Sequence, residues 1–337
     1  MGIEARTTSR SAYHPGTLDN LSFLVTGGAG FIGSHIVAYL LANGAREVRV
    51  LDNLCTGYIN NLSDFSQHPA FRFMEGDIRN IDICREACKG VDYVLHQAAL
   101  GSVPRSVNDP QTTHDVNVNG FMNVLIASRE SGVKRMVYAS SSSVYGNSEK
   151  LPKQENSIGF PLSPYAASKR VNEVYADAFA VSYGMELVGL RYFNVFGPRQ
   201  SPEGPYAAVI PVFMNALSRN EAPFINGDGL QTRDFTYVDN AVQANIKALF
   251  ARHLEGPGHV FNIAVGESVT IRDVFDFISK LLGKNMSPQY RAKRQADVRH
   301  SLADISRARQ ALGYEPEVSF MEGLKTTVQA LHSEKVS

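Results

Sequence analysis

The sequence predicts an α/β fold, a doubly wound and mainly parallel sheet with a smaller mixed α/β lobe C-terminal to it. Three observations carry this expectation. Short apolar runs alternate with helical patterns from Phe23 to Phe193. The first run stops at glycines spaced three apart, Gly27, Gly30 and Gly33, and a helical pattern follows at once. Beyond Asn194 the alternation breaks up, with Pro198, Pro202, Gly204, Pro205, Pro211 and Pro223 punctuating short segments.

Taken in order, residues 23–25 read as the first strand. Ile32, Ile36, Val37, Leu40 and Leu41 then recur at the spacing of one buried helical face. A strand, a tight glycine turn and a helix start make an anion site, because the helix amides point at the ligand and glycines let the backbone approach a pyrophosphate. Residues 47–52 form the second strand. Asp52 at its carboxyl end stands where a dinucleotide fingerprint needs a carboxylate for the adenosine ribose. The sheet is therefore expected to be a dinucleotide-binding (Rossmann) one.

The third strand is residues 71–77, and Asp77 either accepts from the adenine amine or is a solvated turn aspartate. Residues 91–96 are the fourth strand, and the small residues behind it let the backbone lie against the dinucleotide. His96 reads as a core histidine rather than a catalytic one. A helix over 115–129, a strand over 136–139, a helix over 165–183 and a strand over 186–193 continue the alternation. The serines 140–143 directly follow a buried-type strand, so they read as active-site wall and not as linker. A helix over 238–251 and a strand over 259–264 turn back toward the main sheet. Thr270 and Asp273 form a capping box at the start of a further helix. The expected layout is an extension over 1–17, the dinucleotide-binding domain over 18–197 with 236–266 returning to it, and a substrate lobe from 198–235 and 267–337.

Composition excludes several classes. Net charge is zero, with 44% apolar and 20% charged residues, so neither nucleic acid nor an anionic membrane is implied. No apolar run reaches the length of a membrane span. The first twenty residues, with Arg6, Arg10, His14 and Asp19, lack the apolar core of a secretory signal. Cys55, Cys84 and Cys88 make neither a metal spacing nor an even disulfide set, which points to a reducing, cytoplasmic setting and no metal.

Tyr165 and Lys169 are four apart at a helix start announced by Pro161 and Pro164, which puts phenol and ammonium on one helical face. The ammonium favours a phenolate, as would the positive nicotinamide ring of an oxidised cofactor, lowering the phenol pKa toward working pH and giving a general base. Thr26 to Gly33, Ser140 to Gly146, Tyr165-x-x-x-Lys169, Leu190 to Gly197 and Arg233-Asp234-Phe235 together resemble the extended branch of the short-chain dehydrogenase/reductase superfamily. Within it, Gln97 to Ser106 and Asp297 to Asp304 resemble bacterial UDP-N-acetylglucosamine 4-epimerases.

The resemblance implies roles. Gly27, Gly30, Phe31 and Ile32 would cradle the NAD pyrophosphate, Asp52 and Asn53 the ribose, and Asp77 with Ile78 the adenine. Gln97, Ala98 and Ala99 would lie along the cofactor, Lys169 would hold the nicotinamide ribose, and Tyr192 and Phe193 would sit near the carboxamide. Ser141, Tyr165 and Lys169 would be catalytic. Ser102, Ser142 and Ser143 would line the sugar pocket. Asn194, Arg233, Arg294 and Asp297 would serve the diphosphate sugar, the arginines through their planar forks. Ala208, Val209, Phe224 and Asn226 would flank the uridine.

The implied reaction is oxidation and then reduction at carbon 4 of a UDP-hexose, through a transient 4-keto sugar, with hydride passing to NAD and back. Dehydratases and decarboxylases of the superfamily carry a carboxylate where this chain has Ser142 and Ser143. A non-catalytic NAD sensor would typically lack the Tyr-Lys pair. Ser301 matches the position that gates pocket size, and a small residue there implies preference for UDP-GlcNAc and UDP-GalNAc over UDP-Glc and UDP-Gal. The resemblance also implies a homodimer through the helices over 115–129 and 165–183.

Overall fold

The computed structural model describes residues 12–203, 207–254, 256–293 and 298–334. Seven strands form the main sheet, labelled in chain order β1 (Ser22–Thr26), β2 (Glu47–Asp52), β3 (Phe71–Glu75), β4 (Tyr93–His96), β5 (Arg135–Ser141), β6 (Leu187–Tyr192) and β7 (Val260–Ile263). Their order is β7-β6-β5-β4-β1-β2-β3 and every pairing is parallel. The chain thus winds outward from β1 in both directions and leaves a switch point between β1 and β4.

Alternating side chains build two cores. Phe23, Val25, Val48, Val50, Leu95 and Val137 face one layer, where Ile36, Val37, Leu40 and Leu41 of the Phe31–Ala42 helix cover them. Leu24, Leu51, Val94, Met136 and Tyr138 face the other, against Cys84, Cys88, Phe121, Leu125 and Phe179. A third cluster, with Phe196, Phe213, Phe235, Phe275 and Phe320 at its centre, holds the C-terminal lobe together. The Val238–Phe250 helix and β7 belong to the main sheet's side, with β7 paired to β6.

The remaining differences from expectation are local. The third strand ends at Glu75, two residues before Asp77. The helix expected over 115–129 opens as a π-helical turn, Asp115–Gly120, before the α-helix Phe121–Glu130. Asn117 in that wide turn bonds the Leu100 amide (2.8 Å) and the Ser168 hydroxyl (3.2 Å), an inward reach that the turn's extra residue provides. Thr270 and Asp273 do form the capping box. Residues 13 and 14 pack on the first helix, with the Tyr13 ring stacked on Tyr39 at 5.2 Å.

Candidate active site

All seven strands present their carboxyl ends to one side, and a cleft of about 810 Å³ runs across that side at the switch point. A second pocket of about 290 Å³ adjoins it, and Asn194 lines both.

The glycine turn forms one wall. Gly27 has φ +70°, and a Cβ there would lie 2.6 Å from the Ala98 amide nitrogen. A Cβ on Gly33 would collide with the Gly27 carbonyl, so the helix seats directly on the turn. Bare backbone at Gly27 and Gly30, with Phe31 and Ile32 at the helix start, therefore faces the cleft. A glycine cradle that any side chain would fill, at a helix N-terminus and in a cleft of this size, fits the diphosphate of NAD.

Asp52 does more than the sequence shows. Its Oδ2 accepts from the Ala29 amide and its Oδ1 from the Leu54 amide, both at 2.9 Å. It therefore braces the glycine turn, and each oxygen keeps a lone pair for a ribose hydroxyl. Burial pushes its carboxyl pKa up against the pull of the two amides. Asp77 lines the cleft as an ion pair. Arg79 donates to both of its oxygens, at 3.0 and 2.7 Å, Asn53 donates at 2.8 Å, and these bonds hold the carboxyl down to about 2. Ile78, Ala98, Ala99 and Ser102 also line this cleft.

At the sheet's centre, the Tyr192 hydroxyl donates to Gln97 (3.2 Å) and accepts from Asn245 (2.7 Å), which also accepts from Gln97 (3.0 Å). Asn245 is fully buried. Sequence reading missed it, although a polar residue on the apolar side of the Val238–Phe250 helix is a readable signal. His96 is neutral and structural. Its Nδ1 lies 2.8 Å from the Thr26 hydroxyl, and burial pushes its pKa down to about 3. Phe193 lines the smaller pocket and packs against Tyr145.

Tyr165, Lys169 and Ser141 meet in the larger cleft. Ser163 caps the Pro164–Tyr183 helix by accepting from the Ala166 amide (3.1 Å), and Pro164 starts it, so Tyr165 stands in the first turn. Ser141 Oγ accepts from the Ser143 amide (3.1 Å) and hydroxyl (2.9 Å), which leaves its own proton to be donated elsewhere. Lys169 Nζ lies 6.0 Å from the Tyr165 ring centroid and donates to the Ala139 carbonyl at 2.7 Å. Burial pushes the Tyr165 phenol up while the Ser141 bond pulls it back. Lys169 stands beside the phenol on one helical face, with its ammonium directed to the Ala139 carbonyl. Burial lowers the Lys169 pKa to about 8, opposed by Glu173.

Ser142, Ser143, Arg233 and Ser301 share the smaller pocket. No carboxylate lines it among the described residues. Ala208, Val209, Phe224 and Asn226 line neither cavity, although Ala207 reaches the larger one. Arg291 lies over the Phe224 ring at 5.2 Å and donates to Asn226 at 2.7 Å, which joins two short parallel strands of the lobe. Arg294 and Asp297 lie outside the described residues.

Comparison with known proteins agrees with this geometry. The model of the NAD dependent epimerase/dehydratase family matches residues 23–264. A UDP-glucose 4-epimerase of Mycolicibacterium smegmatis is 37% identical over 308 residues, which is 91% of this chain and 97% of that protein. The structure of a UDP-N-acetylglucosamine 4-epimerase from Methanobrevibacter ruminantium, in complex with UDP-N-acetylmuramic acid, is similar at 40% identity and a TM-score of 0.88, covering 93% of this chain and 99% of that one. A Thermus thermophilus UDP-glucose 4-epimerase in complex with NAD is similar at 37% identity and a TM-score of 0.82, covering 93% and 99%.

Proposed function

From the premise that the chain belongs to the NAD-dependent epimerase/dehydratase family, we propose that it is a 4-epimerase interconverting UDP-GlcNAc and UDP-GalNAc through a transient 4-keto sugar. One observation carries the reading. The Tyr165-Lys169-Ser141 group stands where a glycine-cradled cofactor cleft adjoins a small pocket walled by Ser142, Ser143 and Ser301.

NAD, when bound, supplies the acceptor and donor of the electron pair at carbon 4. The protein handles the proton and the positions. Tyr165 Oη, as phenolate, takes the proton of the 4-hydroxyl, and Ser141 Oγ steadies the oxygen by donating to it. Lys169 supplies positive charge beside that phenol. Arg233 anchors the diphosphate while the keto sugar presents its other face, and Tyr165 returns the proton. The absence of a carboxylate among the described residues of the smaller pocket favours epimerisation over dehydration, which needs an acid-base pair there. A serine at 301 leaves the volume an acetamido group occupies.

We read the molecule as a homodimer of the cytoplasm. Val174, Tyr175, Val181 and Tyr183 are exposed along the Pro164–Tyr183 helix, which a second copy of that face would cover. Cys55, Cys84 and Cys88 are unbridged. No helix of the described residues is long and apolar enough to cross a membrane.

The test is to incubate pure protein, without added NAD, with UDP-GlcNAc and with UDP-Glc, and to resolve the epimers. Turnover of the acetylated pair is expected. Strong turnover of the unacetylated pair alone refutes the substrate assignment, and no epimer from any UDP-hexose refutes the activity.

A further inference from the structure

Behind the reacting groups lies a buried ion pair that the reaction above does not use. β4 stops at His96, opposite Tyr138, so Ala139, Ser140 and Ser141 run past it with ladder partners on β6 only. The carboxyl end of β5, which carries Ser141, is therefore a free edge inside the site. Two residues of the Pro164–Tyr183 helix, one turn apart, grip this end. Lys169 Nζ donates to the Ala139 carbonyl (2.7 Å), and Glu173 Oε1 accepts from the Ser140 hydroxyl (2.7 Å). Ser140 stands opposite Arg191 on β6, and Arg191 donates to both Glu173 oxygens, through Nε at 2.8 Å and Nη2 at 2.9 Å. Arg170 donates to Glu173 Oε2 as well, at 2.9 Å.

Glu173 is fully buried and Arg191 nearly so. A carboxylate and a guanidinium taken out of water gain little over apolar side chains of the same volume, so stability alone does not account for the pair. Its placement does. Side chains alternate along a strand, so a clamp on Ser140 and Arg191 fixes how the next residues, Ser141 and Tyr192, face the larger cleft that both of them line. Burial pushes the Glu173 carboxyl up, but the bonds from Arg191, Ser140 and Arg170 outweigh it and hold it below the usual range, so the clamp stays charged. We propose that Glu173 is a positioning residue for the epimerase reaction, holding Ser141 in place beside Tyr165 by clamping Ser140 against Arg191. This rests on the reading that Ser141 takes part in a 4-epimerase reaction.

The test is a double-mutant cycle. E173Q strips the counter-charge from Arg191 and is expected to fold poorly, so S140A, which removes one hydroxyl and leaves the ion pair whole, carries the experiment. Wild type, S140A, S141A and the double variant, all loaded with NAD, are compared in steady-state epimerisation of UDP-GlcNAc, or of UDP-Glc if that sugar alone turns over. Thermal midpoints report folding. S140A is expected to lower kcat about 30-fold with KM nearly unchanged. In the S141A background the same substitution should cost less than about 2-fold, because the group it misplaces is already gone. An equal loss in both backgrounds, or an S140A protein with the kcat of wild type, overturns the proposal and leaves Glu173 as a structural ion pair. Crystal structures of wild type and S140A answer the same question without turnover. Ser141 Oγ should shift by about 1 Å or divide between two rotamers, and an unmoved Ser141 overturns the proposal. If S141A is as fast as wild type, or no UDP-hexose turns over, the catalytic reading of Ser141 fails, while the two structures still decide what Glu173 holds in place.

Discussion

Burial pushes the Tyr165 phenol up and hydrogen bonding pulls it back, and a positive charge beside it, such as the Lys169 ammonium 6.0 Å from its ring, favours the phenolate. Lys169 is lowered by burial from its ordinary value near 10.5 to about 8. Below that pH it is an ammonium beside the phenol, and above it the charge is lost. Epimerisation should therefore fall as pH rises through about 8. Stability should move the other way. The unfolded chain holds this proton up to about 10.4, the folded chain releases it earlier, and so Lys169 makes unfolding harder between about pH 8 and 10. Rate against pH, with denaturant midpoints of wild type and K169M over the same range, checks both signs. A rate loss that tracks a stability loss would refute the assignment. Ser301 carries a second expectation. S301Y places a ring in a pocket of about 290 Å³, and turnover of acetylated relative to unacetylated sugars should fall about 100-fold, read from epimer ratios in mixed-substrate assays. The Tyr-Lys pair was legible because helical spacing alone brings four-apart residues together. Asn245 was not, since its partners Gln97 and Tyr192 are distant in sequence.

Among the elements, the helix starts connect sequence to site most directly. Ser163 and Pro164 place the first turn that carries Tyr165, and Ser163 Oγ satisfies an amide that the helix itself cannot. S163A should cost about 1 kcal/mol of stability. It should also lower kcat several-fold, because the first turn that frays is the one holding the phenol. Chemical denaturation and steady-state rates measure the two effects, and a full stability loss with no loss of rate would separate the cap from catalysis. Thr270 and Asp273 show that such caps can be read directly, since four neighbouring residues contain the whole device. The π-helical turn at Asp115–Gly120 is the opposite case. Val116, Val118 and Phe121 satisfy an ordinary helical pattern, and the wide turn follows from tertiary demands on Asn117 from Leu100 and Ser168.

At the scale of the whole molecule, strand alternation up to Phe193 made the main sheet legible, while the lobe resisted. Its strands are two or three residues long and pair across large sequence gaps, as Thr232–Arg233 does with Val269–Thr270, too short for any periodicity. The outer face of the Pro164–Tyr183 helix gives the last expectation. Val181 is 70% exposed and Val174 52%, seven residues apart on one stripe, and Arg129 of the neighbouring helix lies over the Tyr183 ring at 4.7 Å. A single chain gains nothing by keeping these apolar side chains in water, whereas a second copy applied about a two-fold axis buries the same stripe twice. V181E puts a charge at the centre of that stripe. Because the position is exposed within one chain, the fold itself should lose no more than about 0.5 kcal/mol. Light scattering over a dilution series should then find a dimer for wild type and a monomer for V181E, with the same circular dichroism for both. A wild type that is monomeric at every concentration would refute the dimer, and a V181E protein that stays dimeric would place the subunit contact elsewhere. If the dimer breaks and turnover falls with it, the cause lies in the helix itself, since the stripe and Tyr165 share one rigid element and a partner pressed on one end steadies the other.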